Sequence, residues 1–237
     1  MNYFFHSENL LHGSRLTLSE DEGRHAIKVL RSSIGDSIHI INGKGQLAEA
    51  VITNIKGNNV EVAIENVKFE NKPGYELVIG LAILKKRDRL EWFVEKAIEL
   101  AANRIILFNS QYTEKTHLDT KRLQKIAISA SKQSGNLWMP EISGSIDFHK
   151  VISENFSGEK YIAHCREDGR KQLLNQAYKS SESALVLIGP EGDFSESEIR
   201  NALENNFYPV SLGNLRLRAE TAALTALMML QIANQDK

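Results

Sequence analysis

The chain carries one cysteine, Cys165, among 237 residues. That scarcity excludes an intrachain disulfide and any multi-cysteine zinc site, and it suits a reducing compartment. The seven histidines are scattered with no HxxxH spacing, so no metal is expected. No apolar run reaches the roughly 18 residues that span a bilayer. The opening MNYFFHSENL lacks the basic start and long apolar core of a secretory signal. A cytoplasmic protein is the expectation. Excess charge is missing as well: the net charge is −1, unlike a strongly basic chain that grips nucleic acid regardless of sequence. The dinucleotide pattern GxGxxG, the phosphate loop GxxxxGKS/T and the nucleophile elbow GxSxG are all absent. Gly43-Lys44-Gly45 sits in a hairpin, the wrong setting for either glycine-rich loop. Cys165 has no context that favours a nucleophile and reads as a packing residue.

What is present is ordinary for a globular chain, 42% hydrophobic and 25% charged, enough for one large domain or two smaller ones. The first part has a β-rich rhythm. Residues 14–18 alternate like a strand, and Ser19 with Glu22 marks a capping box opening a helix to about Leu30. On that helix Arg24, Lys28 and Arg31 fall at i, i+4 and i+7 and share one face. Asn42-Gly43 signals a hairpin, and strands follow over 46–55 and 60–64. A polar segment ending in Pro73-Gly74 looks like a linker, giving domains 1–72 and 73–237.

Beyond it, apolar strands alternate with amphipathic helices. Leu77 to Leu84 reads as a strand buried on both faces, and Leu90, Phe93, Val94, Ala97, Ile98 and Ala101 stripe a helix. Strands at 105–108, 161–164, 184–188 and 210–212 alternate with helices near 123–130 and 196–205, and an apolar helix closes the chain. This is an α/β pattern with a parallel sheet.

Two junctions stand out. Gly189-Pro190-Glu191-Gly192-Asp193 joins a buried strand to a helix capped by Ser195 and Glu198, and Gly213 precedes Leu215-Arg216-Leu217-Arg218-Ala219-Glu220-Thr221 at the mouth of the last helix. Each is either a tight βα turn or a ligand-binding loop at the carboxyl end of a strand. The pair Arg218 and Glu220 is either an ion pair at a helix end or reactive machinery. Lys85, Lys86, Arg87 and Arg89 form a second basic cluster, a solvated face or an RNA contact. His25 and His117 are candidate substrate contacts.

GPEGDFSESE followed by LGNLRLRAETAAL resembles the SPOUT methyltransferases and, within them, the ribosomal RNA small subunit methyltransferase E family. The resemblance covers the whole chain. GRHAIKVLRSSIGDSIHIINGKG is similar to that family's PUA-like RNA-binding module, and LEWFVEKAIELAANRIILFNSQYTE and SASKQSGNLWMPEI to parts of its catalytic domain. The chain departs from the family pattern at Asp193, usually glycine, at Asn214 to Arg216, usually proline, arginine and isoleucine, and at Asn136, often arginine.

The resemblance implies a small N-terminal PUA-like β-barrel domain and a C-terminal parallel-sheet domain with a trefoil knot. It implies methylation of N3 of a uridine in 16S rRNA of the small ribosomal subunit, with S-adenosylmethionine as cofactor, by a homodimer. The cofactor would lie against Leu187, Ile188, Gly189, Pro190, Glu191 and Gly192 on one side. Leu212, Gly213, Leu217, Thr221 and Ala222 would complete its site. RNA would meet Arg24, His25, Lys28, Arg31, Lys85, Lys86, Arg87 and Arg89. Arg218 would stabilise charge on the uracil, with Glu220 as its orienter or as a proton acceptor; an ordinary glutamate titrates near ~4.3, low for a base. The rival classes are a SPOUT enzyme acting on tRNA or a ribose hydroxyl, an RNA-binding assembly factor without turnover, and an oxidoreductase. Cofactor preference separates them.

Overall fold

The computed structural model describes residues 3–114, 118–166 and 171–235; His117 lies outside them. The chain divides into two compact units. The first holds residues up to Lys72 together with Ile128–Met139, and the second holds Pro73–Ala127 and Pro140 onward. The sequence pattern contains no hint that 128–139 joins the first unit.

In the first unit β1 (Tyr3–Phe5), β2 (Arg15–Thr17), β3 (Ser37–Ile41), β4 (Gln46–Lys56) and β5 (Asn59–Phe69) form a sheet in the order β1-β3-β4-β5-β2. β1 runs parallel to β3 and the other neighbours are antiparallel. Alternation on β3, β4 and β5 turns Ile38, Ile40, Ala48, Ala50, Ile52, Val60, Val62 and Ile64 into one core. Phe4 and Leu10 complete it from the N-terminal segment.

The expected helix after Ser19 is shorter and wider than its pattern suggests. α1 covers only Glu20–Arg24, and a π-helical turn follows over His25–Val29, closed by Leu30 N–H donating to His25 O at 3.1 Å. Arg31 then leaves the helix with φ +56°. A turn wider than 3.6 residues breaks the i, i+4, i+7 stripe, so Arg24, Lys28 and Arg31 do not share a helical face. The capping box is half formed. Ser19 Oγ accepts from Glu22 N–H at 3.3 Å, but the Glu22 carboxylate pairs with Lys132 Nζ at 2.7 Å. Segment 128–139 is tied in further by Trp138, which bridges to Lys44 and donates its indole N–H to Glu70 O at 3.1 Å.

The second unit is built on seven parallel strands: β6 (Leu77–Ala82), β7 (Arg104–Asn109), β8 (Glu141–Asp147), β9 (Glu159–Ala163), β10 (Gln172–Leu173), β11 (Ala184–Ile188) and β12 (Tyr208–Ser211). Their order is β10-β12-β9-β11-β6-β7-β8. β6 and β11 are buried along their whole lengths, as continuous apolar runs covered on both faces should be. They approach closely, because a Cβ on Gly80 would stand 2.5 Å from Leu187 Cδ2. α2 (Arg87–Glu99) buries Leu90, Phe93, Val94, Ala97 and Ile98 of the predicted stripe, while Ala101, its expected last member, lies past the helix end, exposed and at φ +53°. α3 (Thr120–Ser134), whose residues from Ile128 on belong to the first unit, α4 (Phe148–Ile152), α5 (Leu174–Ala177) and α6 (Glu196–Glu204) follow. α7 (Ala219–Gln235) is fastened to the end of α2 by Gln231 Nε2 donating to Leu100 O at 2.7 Å. Phe194, just past the Gly189 loop, packs with Phe108 and Phe148 at ring separations of 6.2 and 5.6 Å. That aromatic cluster anchors the loop to the core. None of the described helices is long and apolar enough to cross a membrane.

Gly23 in α1 marks the tightest backbone contact of the first unit: a Cβ there would lie 2.0 Å from Asn58 O. Backbone cannot yield as a side-chain end can, so Gly23→Ala should destabilise by about 1–3 kcal/mol. Urea unfolding measures it, and an unchanged midpoint would show that the Asn58 turn moves freely.

Candidate active site

A cleft opens at the carboxyl ends of β9, β11 and β12, where they face the start of α7. It has two lobes. The larger, about 530 Å³, is bordered by Ser211 to Leu217 and by His164, Arg166 and Lys171. The smaller, about 330 Å³, is bordered by Ile188 to Glu191, Asp193, Arg218 and Arg89. Ala163, Cys165, Arg216, Leu217 and Ala222 border both lobes, making them one continuous cleft. The volumes suit a small organic cofactor.

Glycine matters most at Gly213. Its φ of +135° lies in a region that side chains rarely adopt, and a Cβ there would meet nothing within 4 Å. At Gly213 the edge of the larger lobe is therefore bare backbone. Ile188, Leu212, Leu217 and Ala222 supply apolar surface around it, while Glu191 and Asp193 supply carboxylates to the smaller lobe. An apolar wall with exposed backbone suits a flat purine, and carboxylates suit a ligand carrying positive charge.

Asp193 holds the cleft together. Its backbone takes φ +64°, costly for a residue with a Cβ. Its Oδ1 accepts from Phe194 N–H at 2.8 Å and its Oδ2 from Cys165 N–H at 2.9 Å. One carboxylate thus fastens the loop after β9 to the loop after β11. Cys165, expected to be a packing residue, is exposed and borders both lobes. Lys171 Nζ donates to His164 O at 3.1 Å and also to Arg166 O, tying the far end of that loop back.

Of the residues expected to bind cofactor, Ile188, Gly189, Pro190, Glu191, Leu212, Gly213, Leu217 and Ala222 border the cleft. Three do not. Leu187 is buried in β11 against Gly80, Gly192 packs against Tyr112, and Thr221 is exposed on α7. The β9 loop was missed in the sequence, since His164, Cys165, Arg166 and Lys171 match no ligand spacing and only topology brings them here.

Of the expected catalytic pair, Arg218 is exposed and borders the smaller lobe, and among the described residues its side chain forms no ion pair. Glu220 does not orient Arg218. It is buried, and its partner is Arg89, with Nε to Oε1 at 3.5 Å.

Within the cluster Lys85–Arg89, expected to meet RNA, several cations are held in ion pairs. Lys85 pairs with Glu114 at 2.6 Å, and this hydrogen bond holds its ammonium above the ordinary lysine range. Arg87 pairs with Glu91 at 2.6 Å and Asp119 at 3.3 Å. Lys86 has no ion-pair partner among the described residues. In the first unit Arg24 is engaged by Glu20 at 3.0 Å and His25 stacks edge-on with Phe4, whereas Lys28 and Arg31 are exposed and unpaired among the described residues. No group of three or more metal-ligating side chains occurs among the described residues.

A parallel α/β sheet with a ligand cleft at its carboxyl edge, in a chain that also holds a small β-rich unit, is the architecture of a two-domain RNA-modifying enzyme. The RNA methyltransferase domain model matches residues 70–231 and the RNA methyltransferase PUA domain model matches residues 18–65. The chain is 28% identical over 233 residues to ribosomal RNA small subunit methyltransferase E of Rickettsia conorii, covering 98% of this chain and 95% of that protein. It is 30% identical to the protein of the same name from Mesomycoplasma hyopneumoniae, covering 72% and 75%. The crystal structure of ribosomal RNA small subunit methyltransferase E from Neisseria gonorrhoeae, bound to S-adenosyl methionine, superposes with a TM-score of 0.86 at 27% identity, covering 99% and 98%. The chain belongs to the RNA methyltransferases, in the ribosomal RNA small subunit methyltransferase E family.

Asp193→Ala removes both acceptors while keeping a Cβ at a left-handed φ. It should lower stability by about 1–3 kcal/mol. Asp193→Gly, which accepts the φ, should lose less. Equal losses in urea unfolding would show that the hydrogen bonds, not the backbone strain they offset, carry the effect.

Proposed function

We propose that this chain methylates N3 of a uridine in 16S rRNA of the small ribosomal subunit, using S-adenosylmethionine. The observation that carries the reading is the cleft between the Gly189 loop, the Gly213 loop and the start of α7, with arginines beside an apolar, backbone-lined wall. Ile188, Gly189, Leu212, Gly213, Leu217 and Ala222 would hold the cofactor, with Glu191 and Asp193 facing its positive charge. S-adenosylmethionine, when bound, supplies an electrophilic methyl group on a sulfonium.

The chain's own contribution is orientation and electrostatics. Holding two reactants in line contributes roughly 7–11 kcal/mol. As the proton leaves N3, negative charge spreads onto the uracil oxygens, and the unpaired guanidinium of Arg218 is available to stabilise it. Lys28 and Arg31, free of carboxylate partners among the described residues, are the strongest candidates for phosphate contacts. Such contacts position RNA without reading its sequence.

The knot, the homodimer and the cytoplasmic location belong to the same reading. The homodimer has one local support: Met228 and Ile232 are exposed four residues apart on α7, presenting apolar surface.

The deciding experiment mixes the protein with labelled S-adenosylmethionine and small subunits that lack the modification, then maps the labelled nucleoside. Label on N3 of one uridine is expected. Absence of transfer to subunits and free RNA, despite cofactor binding, overturns the reading. Arg218→Ala should cut turnover by roughly 10²–10³; near-normal turnover removes it from the mechanism. Reversing Lys28 and Arg31 to glutamate should weaken RNA binding and lower its salt slope by about one per residue, leaving cofactor affinity unchanged. Unaltered RNA affinity at low salt would make that face ordinary surface.

A further inference from the structure

We propose that Arg89 is a second cation facing the reacting base, and that Glu220 is its positioning residue, not a proton acceptor. This assignment rests on the methyltransferase reading above. Glu220 is the second residue of α7 and only 5% exposed, and it borders neither lobe of the cleft. Glu220 thus stands behind the cleft wall and not on it, next to a cation that is on it. Its Oε1 lies 3.5 Å from Arg89 Nε, and its Oε2 is buried with no hydrogen-bond partner among the described residues. A carboxylate so far from water depends on its cation.

Arg89 does border the smaller lobe, together with Arg216 and Arg218. It sits near the start of α2, and its side chain is one quarter exposed. The neighbouring Lys85 and Arg87 are drawn off by Glu114, Glu91 and Asp119. Arg89 approaches Glu220 most nearly through Nε, in an ion pair without a hydrogen bond. Its Nη groups make no hydrogen bond among the described residues, and a guanidinium carries five donors in a fixed plane. Glu220 therefore holds Arg89 by its charge and leaves the arginine's hydrogen-bond donors for a ligand. A planar donor edge suits a planar anion such as a uracil whose N3 has lost its proton, with charge on two carbonyl oxygens. The lobe then offers three guanidiniums, Arg89 braced by a buried carboxylate and Arg216 and Arg218 unbraced.

The test is a double-mutant cycle on the full chain with Arg89→Ala, Glu220→Gln and both together. Thermal midpoint, S-adenosylhomocysteine affinity and single-turnover methyl transfer to unmodified small subunits are measured across pH. Each single variant is expected to lower the transfer rate by about 10²-fold, equally at every pH, and to keep S-adenosylhomocysteine affinity within about threefold. The double variant is expected to be no slower than Arg89→Ala. Losses that multiply in the double variant, or an acid limb of the pH profile that vanishes in Glu220→Gln, would make Glu220 an independent proton acceptor and overturn the assignment. If Glu220→Gln fails to fold, Arg89→Ala and Arg89→Lys decide. Normal transfer in Arg89→Ala overturns the proposal, and a folded, cofactor-binding but slow Arg89→Ala that lysine only partly rescues supports it. A wild-type chain without transfer overturns the functional reading and this assignment together. An active wild type with multiplying losses overturns the assignment alone.

Discussion

The buried parallel pairing of β11 with β6 and β9 is the constraint on which the rest of the catalytic unit depends. Ala184 to Ile188 has no exposed face, so helices must cover both sides of the sheet. Parallel strands then deliver their outgoing loops to one edge. The loops after β9, β11 and β12, far apart in sequence, become walls of one cleft. Phe194 anchors the middle loop through its aromatic partners, and Asp193 spends its carboxylate on the backbone of the first. The site is thus a product of sheet topology fixed by two local fastenings, one apolar and one polar.

Charge is distributed with similar economy. The near-neutral chain sets several of its cations against carboxylates. Glu91 alone serves Arg87 and Arg122, and these hydrogen bonds, that of Arg122 foremost, hold its carboxyl below the usual glutamate range. Among the cations without an ion pair in the described residues are Lys28 and Arg31 in one unit and Arg216 and Arg218 on the cleft of the other. A cation with a carboxylate partner is oriented but partly neutralised, while an unpaired one is available to a phosphate or a developing anion.

Much of this order was legible in the sequence because it rests on local signals. The continuous apolar runs of β6 and β11, the stripe of α2 and the capping box of Ser195 and Glu198 all formed where their patterns lie; in the box, Glu198 Oε2 accepts from Ser195 N–H at 2.9 Å. The two glycine junctions stood out because their residues suit positive φ or close approach. β8 and β10 were not legible. β8 is an edge strand whose few apolar residues, Ile142 and Ile146, make a weak alternation, and β10 has two residues. Partnerships between distant segments were hidden for a different reason. Nothing in the spacing of Arg89 and Glu220, or of Cys165 and Asp193, distinguishes them from other surface charges, and only the fold brings them into contact.

The π-helical turn at His25–Val29 has a consequence for how relatives are compared. Such a turn accommodates an extra residue without breaking the backbone hydrogen-bond ladder. Each residue advances an α-helix by about 100°. A relative with an uninterrupted α-helix here would therefore carry its basic side chains at shifted angles, even where an alignment puts lysine opposite Lys28. Correspondence between RNA-facing positions across such proteins is a matter of azimuth, not of column.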